Sequence, residues 1–166
     1  MIEALAAIKR GHNINMERVA AIHLRTSPRW LSVCDIKAPR TGLEVKFSYT
    51  WLAGMVLSGI PTSSDRTYTD ALAVDPALAA FAGKITVTGD ATVSDMQATG
   101  EVVLSDGTLL PFEHDLAIPL TNDVLERSLR AKATGLLGAE ADQLWQVVAN
   151  LDALPATDLG KRLMAG

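Results

Sequence analysis

Residues 40–51 and the pair at 114–115 hold side chains whose chemistry suits a small anion. Arg40 carries a planar guanidinium able to grip a carboxylate through two parallel N–H bonds. Lys46 and Ser48 fall in the first turns of a helix that the pattern implies. There the helix dipole and unpaired N–H groups add partial positive charge. Tyr49 and Trp51 follow as aromatic candidates for the wall of such a site. His114 stands next to Asp115, and a neutral imidazole near a carboxylate can act as a general base. Each residue also has a plainer reading. Lys46 and Ser48 read equally as solvated helix positions, and Arg40 as a surface residue beside Pro39. Aromatics at helical spacing commonly pack a core, and a histidine at a strand end is commonly structural. His12, in a turn, and His23, on the polar side of a strand, have no visible partner.

The element that must position most of these residues spans 41–59. Thr41 and Glu44 have the Thr-x-x-Glu spacing of a capping box, and the helix after them would carry Leu43, Phe47, Tyr49, Trp51, Leu52, Met55 and Val56. Gly59 would end it, since Pro61 cannot continue it. Upstream, Ile2, Leu5, Ala6 and Ile8 form a helical stripe that Gly11 would close. Residues 19–26 alternate, with Ala20, Ile22 and Leu24 on one side and Ala21, His23 and Arg25 on the other, as in a half-buried strand. Residues 27–40 read as loop, and a short helix fits 67–73. Asp75-Pro76 starts another helix that runs to about Ala82.

The middle of the chain changes to period two. Ile85 and Val87 alternate with threonines, and Asp106-Gly107 is a hairpin turn between 101–105 and 108–112. Pro111 places the second arm at a sheet edge or a bulge. Thr121 or Asn122 then caps a helix with Val124, Leu125, Leu129, Ala131 and Ala133. Gly138 separates it from a second helix carrying Ala141, Leu144, Val147, Val148 and Leu151, and a last turn spans Asp158 to Met164. The order implies an α+β fold, a small mainly antiparallel sheet with helices on one face.

The 166 residues fit a single domain. A net charge of −4, with no lysine or arginine block, leaves no electrostatic footprint for nucleic acid or an anionic membrane surface. No metal is expected, because there is no His-x-x-x-His, no Cys pair and no carboxylate cluster with ligand spacing. Scattered glycines make no phosphate cradle, and no Gly-x-Ser-x-Gly elbow is present. Cys34 alone fits a reducing cytoplasm, and an amino terminus with Glu3 first and Lys9-Arg10 last does not read as a signal peptide. The apolar runs are far shorter than the roughly 20 residues of a membrane span.

Several of these segments, in this order, resemble the C-terminal portion of the MmgE/PrpD family. They are Ile2-Glu-Ala-Leu, Glu17-Arg-Val-Ala-Ala-Ile-His-Leu, the Lys46-Phe-Ser helix, Leu104-Ser-Asp-Gly-Thr and Pro119-Leu-Thr-Asn-Asp-Val-Leu. Two positions depart from the family pattern. Arg127-Ser128-Leu129 stands where relatives carry a Lys-Phe pair, and Trp51 where they often have Tyr. The family includes 2-methylcitrate dehydratase, cis-aconitate decarboxylase and iminodisuccinate epimerase. The resemblance implies a lid domain of a cofactor-independent lyase or isomerase for small di- or tricarboxylates. Proton abstraction beside a carboxylate would be the shared step. It also implies a homodimer, or association with an N-terminal helical domain that these residues do not include. The chain alone is expected to be inactive, and its catalytic residues remain unknown. Substrate-binding candidates are Lys46, Arg40, Ser48, Tyr49, Trp51 and His114. The alternative is a non-catalytic interaction or dimerisation module, with an apolar face expected on the helices at 2–10 and 43–58.

Overall fold

A computed structural model describes residues 1–153 and 155–163. It resolves into two compact units, one of residues 1–62 and 66–119, the other of 63–65 and 120–166. Among the described residues, no helix is long and apolar enough to cross a membrane.

The larger unit begins with α1 (Ile2–His12), whose Ala4, Leu5 and Ile8 are buried. Gly11 lies inside this helix, one residue short of its end. Asn13 terminates it instead, in the left-handed conformation at φ 47° that asparagine tolerates better than most side chains. Strand β1 (Val19–Thr26) follows. Ile22 and Leu24 face the core as the alternation requires, but Ala20 is exposed and Val19 buried. A register shift between Val19 and Ala21 resets the phase there, as a β-bulge does.

The segment between Leu31 and Ala82 holds five helices. They are α2 (Leu31–Cys34), α3 (Gly42–Val45), α4 (Tyr49–Ser58), α5 (Asp70–Ala73) and α6 (Pro76–Ala82). The single helix expected over 41–59 is therefore two, broken at Lys46–Ser48. The break has a local cause. Ser48 adopts an extended conformation, φ −119° and ψ 106°, bridges to Asp35, and caps α4 by accepting from the Trp51 N–H at 3.4 Å. The expected cap at Gly59 forms, at φ +86°, with its N–H on Met55 O at 3.0 Å. Asp75 caps α6 by accepting from both Ala77 and Leu78 N–H at 2.9 Å.

Strands β2 (Ile85–Gly89), β3 (Gln97–Leu104) and β4 (Leu109–Asp115) complete a sheet of order β2-β1-β3-β4. β1 and β2 are parallel and the other neighbours antiparallel. The long helical segment between β1 and β2 supplies the crossover that a parallel pair needs. The Asp106-Gly107 hairpin joins β3 to β4, and β4, with Pro111, lies at the edge. One sheet face packs on α1 and α4. Ile22, Leu24, Ala98, Val102, Leu104, Leu110 and Phe112 meet Leu5, Ile8, Ala53, Val56 and Leu57 in one cluster. The opposite face presents the exposed residues His23, Arg25, Thr86, Thr88 and Glu113. This is the expected α+β layout.

α4 is apolar nearly all round because it lies between two clusters. Its other side joins Trp51, Leu52 and Met55 to Val45, Ala73 and Leu78. A helix without a polar face is stable only when surrounded. The apolar surface expected to be bare on the helices at 2–10 and 43–58 is thus largely consumed by this unit's own core.

The smaller unit holds α7 (Asn122–Leu137), α8 (Glu140–Ala149) and α9 (Ala156–Leu163). Gly138, at φ +62°, separates α7 from α8. Thr121 is the N-cap residue of α7, without a side-chain capping bond. Ala141 and Val147 are buried, whereas Val124, Leu125, Leu129, Leu136, Leu137, Leu144 and Val148 are exposed. Arg130 ties the pair of helices together, its guanidinium 4.3 Å from the Trp145 ring centroid and 2.9 Å from Glu126 Oε1. Leu151 falls past α8 in a short 3-10 turn. The last turn expected from Asp158 ends at Met164, which lies outside the described residues.

Candidate functional site

Arg40 and Lys46 flank the one-turn helix α3 and both are exposed. What fixes this elbow is its contact with residues 68–70. Gly42 N–H donates to Asp70 Oδ1 at 2.9 Å, and a Cβ on Gly42 would run into the Tyr68 carbonyl. The Lys46 ammonium lies 4.9 Å from the Tyr68 ring centroid, a cation–π distance. Tyr68 is anchored in turn by its hydroxyl, which donates to Thr62 O at 3.0 Å.

The capping box forms with one change. Thr41 Oγ1 accepts from Glu44 N–H at 3.2 Å, but the Glu44 carboxylate reaches past Thr41 to the Arg40 N–H at 2.6 Å. The same carboxylate lies 3.6 Å from the Arg40 guanidinium, whose side chain is 85% exposed. The positive start of α3 is therefore already occupied by Thr41, Glu44 and Asp70. An incoming anion would meet the side-chain cations Arg40 and Lys46, not free helix N–H groups.

Ser48, Tyr49 and Trp51 sit elsewhere. Ser48 is fully buried, its hydroxyl shared between the Trp51 N–H and Thr50 Oγ1 at 3.1 Å. Trp51 is buried too, and its indole N–H donates to Leu72 O at 3.3 Å. Both are building elements of the α4 start. Tyr49 is half-buried and reaches the C-terminal end of β1, its hydroxyl 3.3 Å from Thr26 Oγ1. Burial pushes the Tyr49 hydroxyl above its ordinary pKa, against the opposing hydrogen bond from Thr26. Burial likewise raises the Cys34 thiol, against an opposing influence of Tyr49. Both groups are neutral at pH 7, so here Tyr49 is a polar hydrogen-bonding group and Cys34 a thiol.

His114 is half-buried near the end of β4. Adjacent strand residues point to opposite faces, so Asp115 does not share its side. Asp115 is also engaged, accepting from Gln97 Nε2 and from the Ala117 N–H, both at 2.8 Å. The His114–Asp115 general-base pairing is not formed. The structure thus brings Arg40 and Lys46 to one elbow, makes Ser48 and Trp51 its internal supports, and leaves Tyr49 and His114 apart from them.

The sequence reading missed a second polar cluster, at the C-terminal end of β1. Asp95 is its hub, accepting from Ser27 Oγ at 2.6 Å and Arg29 Nη1 at 2.9 Å, while its carbonyl accepts from Trp30 Nε1 at 2.9 Å. The Ser27 and Arg29 bonds hold its carboxyl below the usual carboxylate range. Separately, an open depression of about 330 Å³ on the sheet is lined by Arg25, Thr99, Gly100, Pro111, Phe112 and Glu113. Its lining includes none of the binding candidates Arg40, Lys46, Ser48, Tyr49, Trp51 and His114.

The fold and the elbow together define an α+β domain with Arg40 and Lys46 exposed on its surface, Arg40 beside Glu44 and Lys46 over Tyr68. The chain belongs to the MmgE/PrpD family: the family model of the MmgE/PrpD C-terminal domain matches residues 1–153. The match spans the sheet, the elbow and helices α7 and α8. No curated protein matches the chain.

Proposed function

We propose that this chain is the lid domain of a cofactor-independent, cytoplasmic lyase or isomerase acting on small di- or tricarboxylates, of the 2-methylcitrate dehydratase kind. The family match carries the reading. Arg40 and Lys46 face solvent on one elbow, as cations must if they are to meet carboxylates held against a second wall. Their role is to bind and orient substrate carboxylates and to offset the charge that builds up when the α-proton leaves. Tyr49 and His114 are the secondary binding candidates. Ser48 and Trp51 act through the elbow they support.

The remaining wall is an N-terminal helical domain. The exposed leucines and valines of α7 and α8 support such an association, because a helical pair with apolar residues left in water is a surface suited to other helices. The same residues give the alternative, a non-catalytic dimerisation module, its own support. Deuterium incorporation from D2O beside the carboxylate tests the two, since all three family reactions share that proton transfer. With 2-methylcitrate, cis-aconitate or iminodisuccinate, the 166-residue chain is expected to show no exchange alone. Exchange is expected when a family helical domain is supplied, and to be lost on Lys46→Gln with Arg40→Gln. Exchange at an enzyme-like rate by the chain alone would overturn the two-wall reading. No exchange in the mixture, despite demonstrated association of the two parts, would favour the module.

A further inference from the structure

The two cations of the elbow are held in different ways. The Arg40 guanidinium lies 3.6 Å from Glu44 Oε1, so an ion pair already takes part of its bonding capacity. Lys46 has no such partner. Glu44 is committed to Arg40 and to the Arg40 backbone N–H, and Asp70 to the Gly42 N–H. Among the described residues, the Lys46 ammonium makes no hydrogen bond or ion pair, and it rests over the Tyr68 ring, 4.9 Å from the centroid. A ring attracts a cation through its negative face, so the ammonium donors that point away from it stay free for a ligand.

Tyr68 is itself a fixed platform. Its hydroxyl donates to Thr62 O at 3.0 Å, and its ring packs against the buried cluster that includes Val45 and Trp51. Its carbonyl lies so close to Gly42 that no Cβ fits between them. Burial raises the pKa of the hydroxyl, so the phenol stays neutral and goes on donating to Thr62. At its other end Lys46 closes α3, its backbone N–H donating to Leu43 O at 3.1 Å. Both ends of the lysine are thus held, and only its flexible four-carbon stem joins them.

The geometry points to Tyr68 as the residue that positions Lys46 for a substrate carboxylate. This deepens the proposed function and rests on its assignment of Lys46 to carboxylate binding. A free lysine loses rotamer freedom when a ligand fixes it, and the aromatic seat removes part of that loss beforehand. Tyr68 touches no substrate in this role. It acts through the ammonium alone.

NMR of the full chain carrying isotope-labelled lysine tests it. Lys46, assigned by the signal missing in Lys46→Gln, is expected to show ε-methylene protons moved upfield by the ring. Tyr68→Phe is expected to keep that displacement and Tyr68→Leu to lose it. Citrate then serves as the carboxylate probe, its dissociation constant read from the Lys46 signal. Starting from Tyr68→Phe, one and then three ring fluorines at position 68 drain the negative face while keeping the shape of the ring. Citrate binding is expected to weaken in steps, by about 2–5-fold in all. A merely structural ring would not respond in this graded way, so the series decides even where Tyr68→Leu disturbs the elbow. A Lys46 signal at the ordinary lysine position in the wild-type chain overturns the inference, as does citrate binding that is measurable but constant across the fluorine series. A signal displaced by the ring but indifferent to citrate in every variant refutes the carboxylate assignment, and the positioning role with it, while the ring contact itself stands.

Discussion

Replacing Gly42 by alanine tests whether the elbow is held as described. The added Cβ would collide with the backbone carbonyl of Tyr68 and lie 2.8 Å from Thr69 N. Neither is the yielding end of a side chain, so residues 68–70 or the start of α3 must move. Overpacking of this kind costs about 1–3 kcal/mol. Displacement also weakens the Gly42 N–H bond to the Asp70 carboxylate, and bonds to charged groups are worth about 1.5–3 kcal/mol. Alanine's better helix propensity returns at most roughly 1 kcal/mol. The balance is a loss of about 2–3 kcal/mol. With a urea m-value of about 2 kcal/mol/M, the midpoint falls by about 1 M. Trp fluorescence reads this cleanly in a Trp145→Phe background, which leaves the signal to Trp30 and Trp51 of the larger unit. Gly11→Ala is the internal control. It lies in the last turn of α1 with open space around its Cβ, so it is expected to stabilise by up to about 0.5 kcal/mol. If Gly42→Ala unfolds at the wild-type midpoint or above it, the close approach of 42 to 68 is not a constraint and the account of the elbow fails.

Met55→Ala removes a side chain buried completely between α4, α5 and α6, and is expected to cost about 2–5 kcal/mol by thermal or urea unfolding. Asp95→Asn bears on acid stability. The folded pKa of Asp95 lies below its unfolded value, so its contribution is fully present above the ordinary carboxylate range and fades as pH falls through the folded pKa. The stability gap between wild type and Asp95→Asn is therefore expected to be constant above about pH 5 and to close below about pH 4. A gap that widens on acidification would reverse the assigned sign. Lys46→Gln and Arg40→Gln alter exposed side chains and are expected to shift the unfolding midpoint by less than about 0.5 kcal/mol equivalent.

Local signals carried far in the fold. The Asp75-Pro76 start, the Asp106-Gly107 hairpin, the Gly59 cap and the edge position of Pro111 each depend on one or two residues whose backbone preferences leave little choice, and each is where it was expected. The errors came where a tertiary partner chose between permitted local states. Nothing within residues 41–59 requires a break at Lys46–Ser48. The bridge from Ser48 to Asp35 and the Ile36 N–H bond to Phe47 O make it, and both come from a loop with no readable period. The bulge that exposes Ala20 similarly arises from pairing with β3, a strand distant in sequence.

The same distinction governs the site. Residue type alone identified Arg40 and Lys46 as cations, and both are on the surface. It could not identify what already satisfies the neighbouring helix start, because Asp70 is 28 residues from Gly42 and looks like an ordinary first-turn acid of α5. Asp70 is the first residue of α5, whose start Thr69 caps, and its carboxylate ties the start of α3 to 68–70. A neutral amide at 70 would weaken that tie. The elbow's cations would then lose a fixed position, not their charge. Arg40 and Lys46 would still attract a tricarboxylate from solution, but no longer from a defined distance to each other. A substrate that must be held at two carboxylates while a proton leaves its α-carbon is sensitive to that separation, because misplacement by about 1 Å can cost roughly 100-fold in rate. The positioning carboxylate, which touches no substrate in this account, is therefore as exacting a requirement of the proposed function as either cation.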